Sequence, residues 1–318
     1  MFSPQGRFIR VFGRSGSGPG EFSAGVRRLF PVAGNQLVIP DPGLGRVQLF
    51  SAEGDVEGTR NFEFRDGKPV SWGADPVAAS DELVIGLRML PDPEHSPGGK
   101  LTLIRLRVTD WTVTDSLSIS AGSTVGPGAP KVTLLSAEPA WASINDAGIA
   151  IGSGDRPEIA VYSWTGLIGQ SIKTDRARMA VSSDDQDIVI ELFLRQLKSN
   201  GLPDAVLREV RKTLAVADFY PLYTRVVSDG ADKLWVQLPA TAQELQRDST
   251  IDLTARHLGS QQWDVYSLGG DYHGAIQLPA GLTLTWVRGD TLYGIMQAED
   301  GSQIATRYTV IYGNPAPS

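Results

Sequence analysis

Short β-favouring runs broken by turn residues recur along most of this 318-residue chain. Val47-Gln-Leu-Phe50, Ile159-Ala-Val-Tyr162 and Trp263-Asp-Val-Tyr266 each run into an aromatic–Ser–x–x–Gly segment. Those segments are Phe50 to Gly54, Tyr162 to Gly166 and Tyr266 to Gly270, and a fourth copy, Phe2 to Gly6, opens the chain. A second extended run follows each glycine, as in Arg7-Phe-Ile-Arg-Val-Phe12. Strand, tight glycine turn, strand is the pattern of a β-hairpin.

Upstream of the hairpins lies a second set of strand pairs. Val26 to Val32 turns at Gly34-Asn35 into Gln36 to Ile39, and Tyr223 to Val227 turns at Asp229-Gly230 into Lys233 to Val236. Trp286-Val287 turns at Gly289-Asp290 into Thr291 to Tyr293. Degenerate versions lead from Val70-Ser-Trp72 and from Ala140-Trp141. The repeating unit is therefore four short antiparallel strands, at a spacing suited to a propeller blade. Such a meander cannot bury both faces alone, and stacking blades about an axis does so. The expected fold is all-β: a single β-propeller domain spanning 1–318, with units near 26–62, 69–119, 139–173, 222–278 and 282–312. The last unit has three strands, and Arg7–Phe12 is expected to supply its outer one.

The rhythm changes from two to 3.6 residues across 183–216. Ser183-Asp-Asp-Gln186 reads as a capping box, Asn200-Gly201 as a stop, and Pro203 as the opening of a second helix. This predicts a helical hairpin inserted between two blades, with an apolar stripe packed on the propeller. The other reading makes it a lid or partner-docking element at one end of the channel. Asp184, Asp185 and Asp187 read as a helix start facing the dipole, because the EF-hand spacing is absent.

Composition then narrows the chemistry. A net charge of −7 and the lack of a basic face in the sequence argue against nucleic acid. Cysteine is absent, so disulfides and thiol chemistry are excluded, and no apolar run is long enough to span a bilayer. The glycine-rich stretch Gly13-Arg-Ser-Gly-Ser-Gly-Pro-Gly-Glu-Phe22 has a strand on each side instead of a following helix, and Glu21 stands where a phosphate loop needs a cation. It reads as an elbow between strands. The three histidines, His95, His257 and His273, lack ligand spacing, so no metal or cofactor is expected. Asp75, Asn145, Asp229 and Asp290 lie at inner turns, where such residues are ordinary turn formers. Asp41 and Arg46, like Asp155 and Arg156, read as structural, the carboxylate taking turn N–H groups and the arginine a neighbouring blade. Arg28, Trp72, Trp141, Arg225 and Trp286 fall at approximately equivalent places on the inner strands. Either they wedge blades and pair with turn carboxylates, or they ring a channel mouth that binds a carbohydrate, peptide or anionic group. The loops 91–99 and 240–261 lengthen connections, and the second is polar.

"FSPQGRFIRVFGRSGSGPGEF" followed by "LVIPDPGLGRVQLF", with "LWV", "WDVY" and "LPAG" towards the C-terminus, resembles the bacterial NHL-repeat-like six-bladed β-propellers. The resemblance is strong at both ends of the chain and weak between about 65 and 135 and across the helical stretch. It implies an exported protein, with a signal peptide and roughly one blade upstream of Met1. It also implies a periplasmic, extracellular or lipid-anchored setting for the full-length form, and six blades against the five units counted here. The reading is a monomeric, non-catalytic binding scaffold of the bacterial envelope, with an unidentified protein, peptide or carbohydrate ligand. The alternative is a channel-site metal-dependent hydrolase of the lactonase or esterase type.

Overall fold

The computed structural model describes residues 7–23, 29–32, 34, 36–61, 71–76, 82–89, 100–120, 132–144, 148–166, 168–247, 258–297 and 302–311. It is an all-β propeller of four-stranded antiparallel blades with a small helical insertion. Two compact units divide it, Met1–Ala121 and Gly122–Ser318.

The first unit opens with β1 (Arg14–Ser15) and β2 (Glu21–Phe22), which pair with each other in parallel. Blade one is β3 (Phe30–Val32), β4 (Gln36–Asp41), β5 (Arg46–Ser51) and β6 (Val56–Asn61), in that order across the sheet. Blade two is β7 (Ser71–Pro76), β8 (Glu82–Met89), β9 (Lys100–Arg107) and β10 (Val113–Ser120). Its β7 lies beside β3 of blade one, so the inner strands neighbour each other as propeller stacking requires. Val38, Val47 and Leu49 from blade one meet Leu83, Ile85 and Leu106 from blade two in one core. The expected strand at Arg7–Phe12 does not form a ladder: within it only Phe8 makes an isolated bridge. Phe12 instead packs its ring on Phe50, with centroids 5.6 Å apart, while Phe8 and Val11 stay exposed.

The second unit begins with β11 (Val132–Leu134) and blade three, β12 (Pro139–Ile144), β13 (Gly148–Ser153), β14 (Glu158–Ser163) and β15 (Ile168–Lys173). The insertion follows as α1 (Ser183–Ser199), α2 (Asp204–Thr213) and β16 (Leu214–Val216), the last pairing in parallel with β11. Blade four is β17 (Arg225–Ser228), β18 (Lys233–Pro239), β19 (Gly259–Ser267) and β20 (Tyr272–Gln277). A short helix, α3 (Ala242–Arg247), sits in the β18–β19 connection. The last sheet is β21 (Leu282–Arg288), β22 (Thr291–Gln297) and β23 (Gln303–Thr309). Inner strand β17 lies between β12 and β21. Its two faces bury different cores: Val226 packs towards Ala140 and Ala142 of blade three, and Val227 towards Leu282 and Leu284 of the last sheet.

The aromatic–Ser–x–x–Gly repeat has one physical cause in its described copies. The glycine takes a left-handed turn, with φ of 87° at Gly54, 82° at Gly166 and 97° at Gly270. Each glycine N–H donates to the serine carbonyl: Gly54 to Ser51, Gly166 to Ser163 and Gly270 to Ser267. Serine hydroxyls take further turn amides, from Glu53 and Asp55 on Ser51 and from Asp271 on Ser267. The outgoing strand carries a bulge in all three, at Leu49/Phe50, Val161/Tyr162 and Val265/Tyr266.

Among the described residues no helix is long and apolar enough to cross a membrane.

Candidate functional site

Two blade connections hold most of the polar chemistry of the described chain. The first is the glycine elbow. Four of its backbone N–H groups are turned on protein acceptors: Arg14 N–H to Gly20, Gly16 to Phe22, Gly18 to the Glu21 carboxylate, and Gly20 to the Gln48 side chain at 2.8 Å. The carboxylate of Glu21 also accepts from Arg14 Nε at 2.7 Å, and these bonds hold it below the usual carboxylate range. It thus fills the place a phosphate would need. On the carbonyl side, buried Arg46 donates to Ser17 O, Gly18 O and Glu21 O at 2.7–3.0 Å and to Asp41 Oδ2 at 3.3 Å. Asp41 in turn accepts from the Ser23 hydroxyl. The expectation that Asp41 takes turn amides and Arg46 a neighbouring blade is corrected here: both are spent on their own blade's entry.

The second connection is the helical insertion. Its N-cap is Ser182 and its box partner Asp185, one residue earlier than Ser183 and Gln186. Consecutive serines ahead of consecutive acids leave that register undecided in sequence. The α1 stripe is buried as expected, but against α3 and the β11–β16 pair rather than a blade face: Val189 and Phe193 share a core with Leu134, Tyr220, Ala242 and Leu245. Tyr220 Oη accepts from Ala242 N–H at 3.0 Å, and Gln243 Nε2 donates to Asp185 Oδ1 at 3.0 Å. The part of the polar 240–261 loop that is described therefore contains a helix with buried Ala242 and Leu245.

At the base of the insertion an exposed extended stretch, Asp175–Ala180, carries two arginines. Arg176 donates through Nε and Nη2 to both oxygens of Asp264, at 2.6 and 2.8 Å. Asp264 lies on β19 and is buried, whereas the Arg176 side chain is 40% exposed. Tyr272 on β20, itself 55% exposed, donates its hydroxyl to the same Asp264 oxygen at 3.4 Å. Tyr266 packs on Tyr272 with ring centroids 5.3 Å apart. Burial, then the Asp264 charge, pushes the Tyr266 phenol up to about 12 and raises that of Tyr272. Two residues beyond Arg176, Arg178 lies over the ring of Phe219, 4.8 Å from its centroid, and Phe219 is 42% exposed. The segment is held by Val181 N–H to Asp218 O and Tyr220 N–H to Met179 O. Of these residues the sequence marks Tyr266 as a hairpin aromatic and Asp264 as part of the strand before it, and neither as part of a site. The sole signal was the Arg176/Arg178 pair ahead of the cap.

Of the five residues expected at a channel mouth, Trp141, Arg225 and Trp286 are described with their side chains. Arg28 and the Trp72 side chain lie outside the described residues, although Trp72 pairs with Leu87 in β7–β8. Half-buried Trp141 stands opposite Ile151 on β13. Arg225 donates Nη1 to Leu284 O at 2.6 Å and lies over the Trp263 ring, which places it in the joint between blade four and the last sheet. Trp286 stacks on its cross-strand partner Tyr293, 5.4 Å apart. Of the turn acids, Asp229 accepts from Ala231 and Lys233 N–H as a turn former, and Asp290 accepts from Lys233 Nζ. Asn145 and the Asp75 side chain, with His95 and His257, lie outside the described residues. Among the described residues no cluster of three or more metal-ligating side chains is present.

No family model and no curated protein matches the sequence. Solved structures do match. A member of the DUF4221 family from Bacteroides vulgatus aligns at 10% identity with a TM-score of 0.50, covering 92% of this chain and 81% of that one. The β-propeller domain of Myceliophteria thermophila Cps50 (Swd1) aligns at 12% identity and TM-score 0.40, covering 92% and 72%. BBS1N, solved in complex with ARL6DN, aligns at 12% and 0.36, and this chain spans 64% of its length. At 10% identity the likeness to the DUF4221 member speaks to fold alone.

Proposed function

We propose that this protein is a non-catalytic binding scaffold of the bacterial cell envelope, with its partner surface at the base of the helical insertion. The observation that carries the reading is the row Tyr272, Arg176, Arg178 and Phe219. Arginines on a fastened segment stand exposed there, each beside an exposed aromatic from a neighbouring stretch. Aromatics and arginine dominate binding hot spots, the aromatics because they cover large areas with few rotatable bonds and arginine because its planar fork loses little per hydrogen bond formed. Most exposed arginines and tyrosines move freely; these are preorganised by Asp264 and by the pairing of 179–181 with 218–220, which reduces what a partner must order. The propeller supplies the rigid base on which an inserted element can carry recognition. The envelope setting rests on the resemblance to exported propellers.

Site-specific photocrosslinking in the native host tests this. A crosslinker at position 219 or 272 is expected to give a discrete protein adduct, recovered in the envelope fraction. Adducts only from other faces would overturn the surface, and an adduct confined to the cytoplasm would overturn the location.

A further inference from the structure

We propose that the partner segment presents a carboxylate beside an apolar side chain, and that Arg178 over Phe219 is the receptor for that pair. The inference rests on the partner-surface reading above and names its chemistry. The two arginines of the row differ in what they have left to offer. Arg176 spends two donors on a buried carboxylate that balances its charge. Arg178 has no carboxylate partner among the described residues, and one side of its guanidinium is occupied by the Phe219 ring. A guanidinium held over a ring keeps its edge N–H groups for a planar anion, and a carboxylate fits that fork in bidentate fashion. The exposed remainder of Phe219 lies alongside to take an apolar group. Charge selects the class of occupant further. Exposed Asp175 lies three residues before Arg178 and exposed Asp218 directly before Phe219, and the whole protein carries −7. A polyanion such as nucleic acid or an anionic membrane would meet those carboxylates, whereas a single carboxylate on a peptide meets only the cation.

The probes are three sets of immobilised octapeptides with Leu or Phe beside Glu, beside Gln, or beside Lys, together with phosphatidylserine-containing vesicles. The Glu set is expected to bind about tenfold tighter than the Gln set, the discrimination a charge-assisted hydrogen bond supplies. Arg178→Glu should shift the preference to the Lys set, Arg178→Lys should keep the sign with a smaller ratio, and Phe219→Ser should weaken every set. Equal binding of the Glu and Gln sets, no binding by any set, an unchanged preference in Arg178→Glu, or vesicle binding as tight as the Glu set would overturn the proposal. Circular dichroism of each variant establishes that it is folded. If the preference fails while crosslinks at 219 persist, the partner surface stands and the carboxylate chemistry falls. Loss of both removes the underlying reading.

Discussion

The glycine elbow and the helical insertion occupy the same kind of place, a connection into the inner strand of a blade, and they are built in opposite ways. The elbow crosses in a few residues and turns three of its carbonyls inward, so its glycines bring them within reach of one buried arginine. The insertion spends some forty residues, forms a core of its own, and leaves arginines and aromatics facing outward. Both are tied to the third strand of the blade they enter. Gln48 on β5 stands two residues before the repeat aromatic Phe50 and catches Gly20 and Glu21; Asp264 on β19 stands two before Tyr266 and catches Arg176. The lesson is that a common anchor position serves two ends. Saturated, it makes a silent joint; fed by an exposed arginine, it braces a surface.

The sharpest break in this comparison is expected at the elbow. Arg46→Ala leaves Asp41 buried without its cation and takes one donor from each of three carbonyls, and should cost about 3–5 kcal/mol in chemical denaturation. A loss below about 1 kcal/mol would show that the elbow holds itself. Asp264→Ala should cost less, about 1–2 kcal/mol, because the half-exposed Arg176 returns to water. Its clearer sign is faster proteolytic cleavage within 175–180, with the α1 amides still protected from exchange. Ser182→Ala removes the α1 cap and should cost about 1 kcal/mol, leaving the elbow unaffected. The smallest effect is pH dependence at Tyr266. Its folded pKa is raised from 10.0 to about 12, so the neutral phenol stabilises the fold at every pH below 10, and that contribution is lost as pH climbs from 10 towards 12. Tyr266→Phe should flatten this alkaline slope; an identical slope would remove Tyr266 as its source.

Local chemistry made the repeat legible. A serine three residues ahead of a glycine in a left-handed turn takes the turn's own amides, so the motif announces its hairpin wherever it occurs. The insertion was legible for the same reason, since a cap, a stop and a proline act within one turn of helix, and its one-residue error came from adjacent serines. What escaped is held by contacts across distance. Arg46 reaches back 25–29 residues and Arg176 forward 88, and neither spacing leaves a periodic mark. Helix α3 escaped because its two buried residues, Ala242 and Leu245, look unremarkable until α1 is laid over them. Arg225 and Trp286 were found as inner-strand residues, but only the register shows one bonded to Leu284 across a joint and the other stacked on Tyr293.

The insertion offers its own control, since Val206 on α2 and Phe219 at the base are comparably exposed apolar side chains. The most direct measurement is the affinity of the crosslinked partner for Phe219→Ser and for Val206→Ser. The account predicts a loss of at least about tenfold for Phe219→Ser, the range of a hot-spot residue, and no change for Val206→Ser. Unchanged affinity in Phe219→Ser with a loss in Val206→Ser would place recognition on the outer helix and contradict it.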